Sequence, residues 1–103
     1  SLVGPPAANT IGHLFPAIAF LGANGVDPER GLTSNDPDEA EINNLMVRQA
    51  RKKVAVADHT KLGVVASCLI CPIDSVDLLI TDSAASPESV RQFESRGIEV
   101  QCV

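Results

Sequence analysis

Apolar residues come along this chain in solid blocks and in helical stripes, and the two patterns mark two kinds of element. Ala17-Ile18-Ala19-Phe20-Leu21 is an unbroken apolar run of the kind that forms a strand buried on both faces. Val54-Ala55-Val56-Ala57 is a second such run, and Val76 to Ile80 predicts another buried strand. Val64 to Ile70 predicts a further short strand closed by Pro72, and Ile98 to Val103 a terminal one. Helical stripes lie between them. Asp36 is a natural N-cap, Pro37 occupies the first helical position, and Glu39 is spaced to reach back as a capping-box partner. Ile42, Leu45, Met46 and Ala50 then recur at three- and four-residue steps as a buried stripe. Acidic Asp38, Glu39 and Glu41 at the start, with Arg48, Arg51, Lys52 and Lys53 at the end, complement the helix dipole. A second helix opens at Ser86-Pro87, turns Val90 and Phe93 inward and stops at Gly97. A third, from Gly4-Pro5-Pro6 to Pro16, carries Ala8, Ile11 and Leu14 or Phe15 on one face, weakened by Gly12 by roughly 1 kcal/mol relative to Ala. Alternation of strands and helices predicts an α/β fold with a mostly parallel sheet, right-handed crossovers and flanking helices.

Each central strand ends in a polar cluster. The first runs into Gly22-Ala23-Asn24-Gly25, where glycine and asparagine permit backbone conformations closed to other residues. After it, Asp27 to Gly31 reads as a polar loop. The second strand ends in Asp58-His59-Thr60-Lys61, and the third in Thr81-Asp82-Ser83. Parallel sheets bind ligands beyond the carboxyl ends of their strands, so the three clusters mark one site without naming its ligand.

Composition narrows the ligand. A chain of 103 residues is one domain, and 45% hydrophobic with 20% charged residues excludes a disordered one. Three phenylalanines, with no Trp or Tyr, offer no stacking platform for single-stranded nucleic acid. Net charge −5 opposes binding to a phosphate backbone but leaves room for a small anion held by one local cation. Three cysteines form no secretory framework, and no basic leader or clean apolar span is present, so the chain reads as cytoplasmic with no membrane partner. Cys68-Leu69-Ile70-Cys71 has a zinc-like spacing. A strand would point its thiols to opposite faces and no second pair exists, so buried cysteines, with no metal and no cofactor, are the expectation.

Several phrases resemble a known family: Ser1-Leu2-Val3-Gly4-Pro5, Ala19 to Gly25, Gly31-Leu32-Thr33, Val56 to Gly63 and Leu79-Ile80-Thr81-Asp82. In this order and spacing they are similar to the C-terminal sensor domain of DeoR-family transcriptional regulators. The resemblance implies the fold shared by ribose-5-phosphate isomerase, glucosamine-6-phosphate deaminase and CoA transferases. It implies binding of a phosphorylated sugar or related metabolite, without catalysis, to modulate DNA binding by a separate helix-turn-helix domain. That domain, and the front of the sensor with its Asp-x-Gly-Ser/Thr-Thr type loop, are missing from the sequence. The chain, starting at Ser1, is thus expected to be the C-terminal part of a sensor that engages DNA only through the missing domain, with an exposed sheet edge able to pair with another copy as a homo-oligomer.

Ligand-binding candidates under this resemblance are Gly22, Asn24, Gly25, Thr33, Glu39, Asp58 and Lys61. Gly22, Asn24 and Gly25 either close a turn or touch ligand. Thr33 and Glu39 stand where related sugar-phosphate enzymes place a hydroxyl contact and a carboxylate base, although capping alone explains Glu39. Asp58 and Lys61 pair a carboxylate for sugar hydroxyls with an ammonium for phosphate; the alternative is a surface ion pair of little energetic worth. His59, where the family usually has a small residue, reads as a partly exposed neighbour rather than a catalyst. A second function class is a sugar-phosphate isomerase or deaminase. Ribose-5-phosphate isomerase carries Asp-Gly-Ala-Asp where this chain has Leu21-Gly22-Ala23-Asn24, which removes a likely acid/base carboxylate.

Overall fold

A computed structural model describes residues 15–103, and the strands there sort into two sheets of opposite type. In chain order the elements are β1 (Ile18–Gly22), β2 (Gly25–Asp27), β3 (Gly31–Ser34), α1 (Pro37–Gln49), β4 (Lys52–Val56), β5 (Cys68–Cys71), β6 (Leu78–Thr81), α2 (Pro87–Glu94) and β7 (Glu99–Cys102). The main sheet has the order β1-β4-β6-β7 and is parallel throughout, which gives the expected α/β class. The smaller sheet, β2-β3-β5, is antiparallel. The polar loop expected at Asp27 to Gly31 is the turn of its β2–β3 hairpin. Asp27 Oδ2 accepts the Glu29 and Arg30 N–H groups at 3.0 and 2.8 Å, and Gly31 takes the left-handed φ of +86° that restarts the strand. The strand expected from Val64 to Ile70 is only β5, since Val64 to Ser67 cross the hairpin as irregular chain.

The main cluster of buried residues lies on one side of the main sheet, while Val54 and Leu78 are buried on the other. Leu21, Ala55 and Leu79 form one row across β1, β4 and β6, all buried in a cluster with Leu32, Val47, Ile70 and Phe93. The first apolar run is therefore buried on one face, not two: Ala19 and Leu21 are inside, whereas Ile18 and Phe20 are 48% and 68% exposed because nothing among the described residues covers that side of β1.

Asp36 caps α1 by accepting the Asp38 N–H at 2.9 Å, with Pro37 in the first turn. The reciprocal arm differs from the expected capping box. The Asp36 N–H donates to Ser34 Oγ at 3.1 Å, and Glu39 accepts no hydrogen bond among the described residues. Ala40 and Val47 share the face of α1 that joins the main core, Ile42 is buried on the other side of the helix, and Leu45 and Met46 are half-buried, so the expected stripe is only part of what α1 buries. The helix ends at Gln49, so only Arg48 of the four expected cations meets its last turn; Lys52 and Lys53 already belong to β4. In α2, Ser86 Oγ accepts the Ser89 N–H at 3.1 Å, Phe93 is buried, and Gly97 at φ +85° turns the chain into β7. The helix expected from Gly4 to Pro16 falls almost wholly outside the described residues.

Candidate functional site at the carboxyl edge of the parallel sheet

Gly22, Val56 and Ile80 lie level with one another in β1, β4 and β6. Asn24, Asp58 and Asp82 each follow two residues beyond that row, so all three polar clusters leave the sheet at its carboxyl edge. Asp58 caps the 3-10 turn His59–Lys61, accepting hydrogen bonds on Oδ1 from the Thr60 N–H at 2.8 Å and from the Thr60 hydroxyl. These bonds, with a lesser contribution from the Lys61 charge, hold the Asp58 carboxyl below its ordinary range against desolvation and the like charge of Asp82. Lys61 is half-buried and makes no ion pair with any described residue. The turn is fixed to the smaller sheet by the Val26–Leu62 bridge and by the Gly63 N–H, which donates to the Val26 carbonyl at 2.8 Å.

Asp82 fastens this turn to the end of β6. Its Oδ2 accepts the His59 backbone N–H at 2.9 Å, both oxygens lie 3.0 Å from His59 Nδ1, and Oδ1 accepts the Ala84 N–H at 2.9 Å. The two bonds from His59 lead in holding the Asp82 carboxyl below its ordinary range. Asp58, His59 and Asp82 bring possible metal-ligand atoms within 4.8 Å of one another. A metal ion there would compete with the bonds that Asp82 takes from His59 and Ala84 and that Asp58 Oδ1 takes from Thr60.

The remaining expected residues divide. Asn24 stands at the edge beyond β1, but its Oδ1 accepts the Asn35 N–H at 2.9 Å and the Ser34 hydroxyl at 3.3 Å, fixing the entry to α1. Gly22 is exposed, and an added Cβ would meet nothing within 4 Å. Gly25 is buried, and a Cβ there would strike the Val64 carbonyl oxygen. Neither glycine, nor Asn24, adopts positive φ, so the turn does not use the special backbone freedom expected of it. Gly25 answers to close approach instead. Thr33 is buried, with Oγ1 donating to the Gly25 carbonyl at 3.4 Å and accepting the Ala66 N–H at 2.8 Å. Glu39 sits half-buried in the first turn of α1.

Two features escaped the sequence pattern. One is the His59–Asp82 contact, for which strand-end polarity was the only signal. The other is Ser34, a buried hydroxyl linking Asn24 to the cap of α1, for which there was none. Thr81 Oγ1, at the end of β6, is buried with no hydrogen-bond partner among the described residues. Away from this edge, burial pushes the Cys71 thiol up to about 11, and Cys68 is half-buried. A cavity of about 470 Å³ bounded by Asp27, Glu29, Gln92 and Arg96 contains none of the expected ligand residues.

A family model described as the DeoR C terminal sensor domain matches residues 1–83. The chain belongs to this family. Similar proteins include the HTH-type transcriptional regulator GlpR of Haloferax volcanii, 39% identical over 97% of this chain and 39% of its own length. The HTH-type transcriptional regulator GolR of Listeria innocua is 34% identical over 98% of this chain and 40% of its own. The deoxyribose operon repressor of Escherichia coli is 28% identical over 88% and 36%. The chain thus spans about two fifths of the length of these regulators. Membership of the DeoR sensor family accords with the α/β fold and with relatives named as regulators rather than enzymes. Among the described residues no helix is long and apolar enough to cross a membrane.

Proposed function

We propose that this DeoR-family domain binds a phosphorylated sugar or related metabolite at the carboxyl edge of β1, β4 and β6, without chemically altering it. The observation that carries this reading is Lys61, a half-buried ammonium with no ion pair among the described residues, at a strand end of a chain whose net charge is −5. Such a cation offsets a phosphate dianion, and Asp58 Oδ2, which takes no bond from Thr60, is available to accept sugar hydroxyls. Gly22, open above the end of β1, leaves room for the ligand. Occupancy then modulates operator binding by a helix-turn-helix domain, as the names of the relatives suggest, in a homo-oligomer.

Thermal denaturation with three-, five- and six-carbon sugar or polyol phosphates tests the reading. At a ligand concentration a hundredfold above Kd the stabilisation is about 2.7 kcal/mol, a readily measured rise in Tm. The matching unphosphorylated sugars are expected to give no rise. Equal rises with and without phosphate, or none with any phosphate, contradict the proposal.

A further inference from the structure

His59 is the part of this edge that the reading above leaves idle. Its ring Nδ1 lies 3.0 Å from both oxygens of Asp82, whose Oδ2 also takes the His59 backbone N–H at 2.9 Å. An ionised carboxylate only accepts hydrogen bonds, so in this contact the proton resides on Nδ1. A neutral imidazole protonated at Nδ1 presents a bare acceptor at Nε2. Nε2 has no partner among the described residues, and the side chain is 45% exposed. The ring belongs to the same turn as Asp58 and Lys61, whose lead-in residue Asp58 comes within 4.8 Å of it.

We propose that His59 Nε2 accepts a hydroxyl from the sugar portion of the effector, with Asp82 as the positioning residue that fixes its tautomer and direction. The proposal rests on the ligand site argued above and divides its work: Lys61 reads the phosphate, His59 the carbon skeleton. An acceptor gains nothing from a fully ionised phosphate, which offers no proton. It discriminates among ligands that share the phosphate and differ in where their hydroxyls stand.

Titrations at pH 8, above the ordinary imidazole range, separate the two roles. The probes are methyl phosphate, a phosphomonoester without sugar hydroxyls, and glycerol 3-phosphate, ribose 5-phosphate and fructose 1-phosphate. His59→Ala is expected to leave methyl phosphate binding unchanged and to weaken at least one hydroxylated phosphate by about two- to tenfold, the loss of one net hydrogen bond. Asp82→Asn is expected to weaken the same hydroxylated phosphates by releasing the ring and, because it also loosens the turn that carries Lys61, to weaken methyl phosphate to a smaller extent. Nitrogen-15 spectra are expected to show the Nδ1–H tautomer, with Nε2 shifting on addition of the hydroxylated ligand but not methyl phosphate. An Nε2–H tautomer overturns the inference, as does a His59→Ala effect that is equal for all four probes or absent for all. Methyl phosphate binding that persists in His59→Ala but disappears in Lys61→Ala would in that event leave the phosphate site standing. No response to any probe at Lys61 or His59 removes both.

Discussion

Asp82 reaches from the end of β6 to accept the backbone N–H of His59 beyond β4, a 2.9 Å bond that ties the exits of two neighbouring parallel strands together. The ladder itself stops short of this point, since its last β4–β6 pair is Val56 with Ile80. What keeps the two loops level beyond it is a side chain. The same carboxylate faces the His59 ring and starts the following turn through Ala84, so one residue fixes three groups at the candidate site.

Asp82→Asn is expected to lower Tm and to loosen residues 58–61, seen as faster amide exchange at His59. The pH dependence follows from the bonds that lower the Asp82 carboxyl, first the His59 N–H and then its ring. Above the ordinary aspartate range both folded and unfolded states are ionised, and the contribution is fully present. It is lost as the pH falls through the lower, folded-state value. The Tm gap between wild type and variant is therefore expected to be open at pH 5 and to close as the pH falls below about 4. A gap that widens in acid contradicts the assignment.

Gly25 and Gly22 are expected to respond oppositely to the same methyl group. In Gly25→Ala the new Cβ strikes the Val64 carbonyl, backbone that cannot swing aside as a side chain can. Forced repacking of this kind costs typically 1–3 kcal/mol. Gly22→Ala enters open space and is expected to change stability by less than about 0.5 kcal/mol while reducing ligand affinity. Denaturant unfolding and ligand titration of the two variants check this directly.

Two buried threonines give a second contrast. Thr33→Val leaves the Ala66 N–H without its acceptor and is expected to cost about 1–3 kcal/mol, with Thr33→Ser restoring most of it. Thr81 has no partner for its hydroxyl among the described residues, so Thr81→Val is expected to hold or raise stability. Chemical denaturation of the three variants decides. If Thr33→Val is neutral, its hydroxyl is not the structural tie described here.

Much of this fold was legible because its signals are local. Asp36-Pro37 and Ser86-Pro87 announce helix starts through chemistry confined to a few residues, and β1, β4 and β6 are marked by apolar stretches. The smaller sheet was hidden because β2 and β3 have only three and four residues, too few to show a period, and because their hairpin turn has the composition of a plain loop. The expected burial of the first strand on both faces fails because an apolar residue such as Phe20 states a preference, not what covers it. At the site, the convergence of Asn24, Asp58 and Asp82 followed from parallel topology alone. Which groups are spent internally did not: Thr33 meets Ala66 33 residues later, and His59 meets Asp82 23 residues later. Lys53 shows the same limit. It reads as a cation at the end of the first capped helix, yet it lies in β4, half-buried, with Nζ 4.0 Å from Asp77.

Lys61 carries the central claim, and calorimetry of Lys61→Ala against Lys52→Ala, an exposed lysine at the opposite end of β4, tests it most directly. A charged hydrogen bond to phosphate contributes about 1.5–3 kcal/mol, so Lys61→Ala is expected to weaken binding of a sugar phosphate by roughly ten- to a hundredfold. Lys61→Arg is expected to recover only part of the loss, because a planar fork does not replace a compact ammonium. Lys52→Ala is expected to leave affinity unchanged at 0.15 M salt, where distant exposed charges are screened over about 8 Å. Equal and small effects at Lys61 and Lys52 would contradict the account, for the phosphate would then be held by something other than the cation at the carboxyl edge of this sheet.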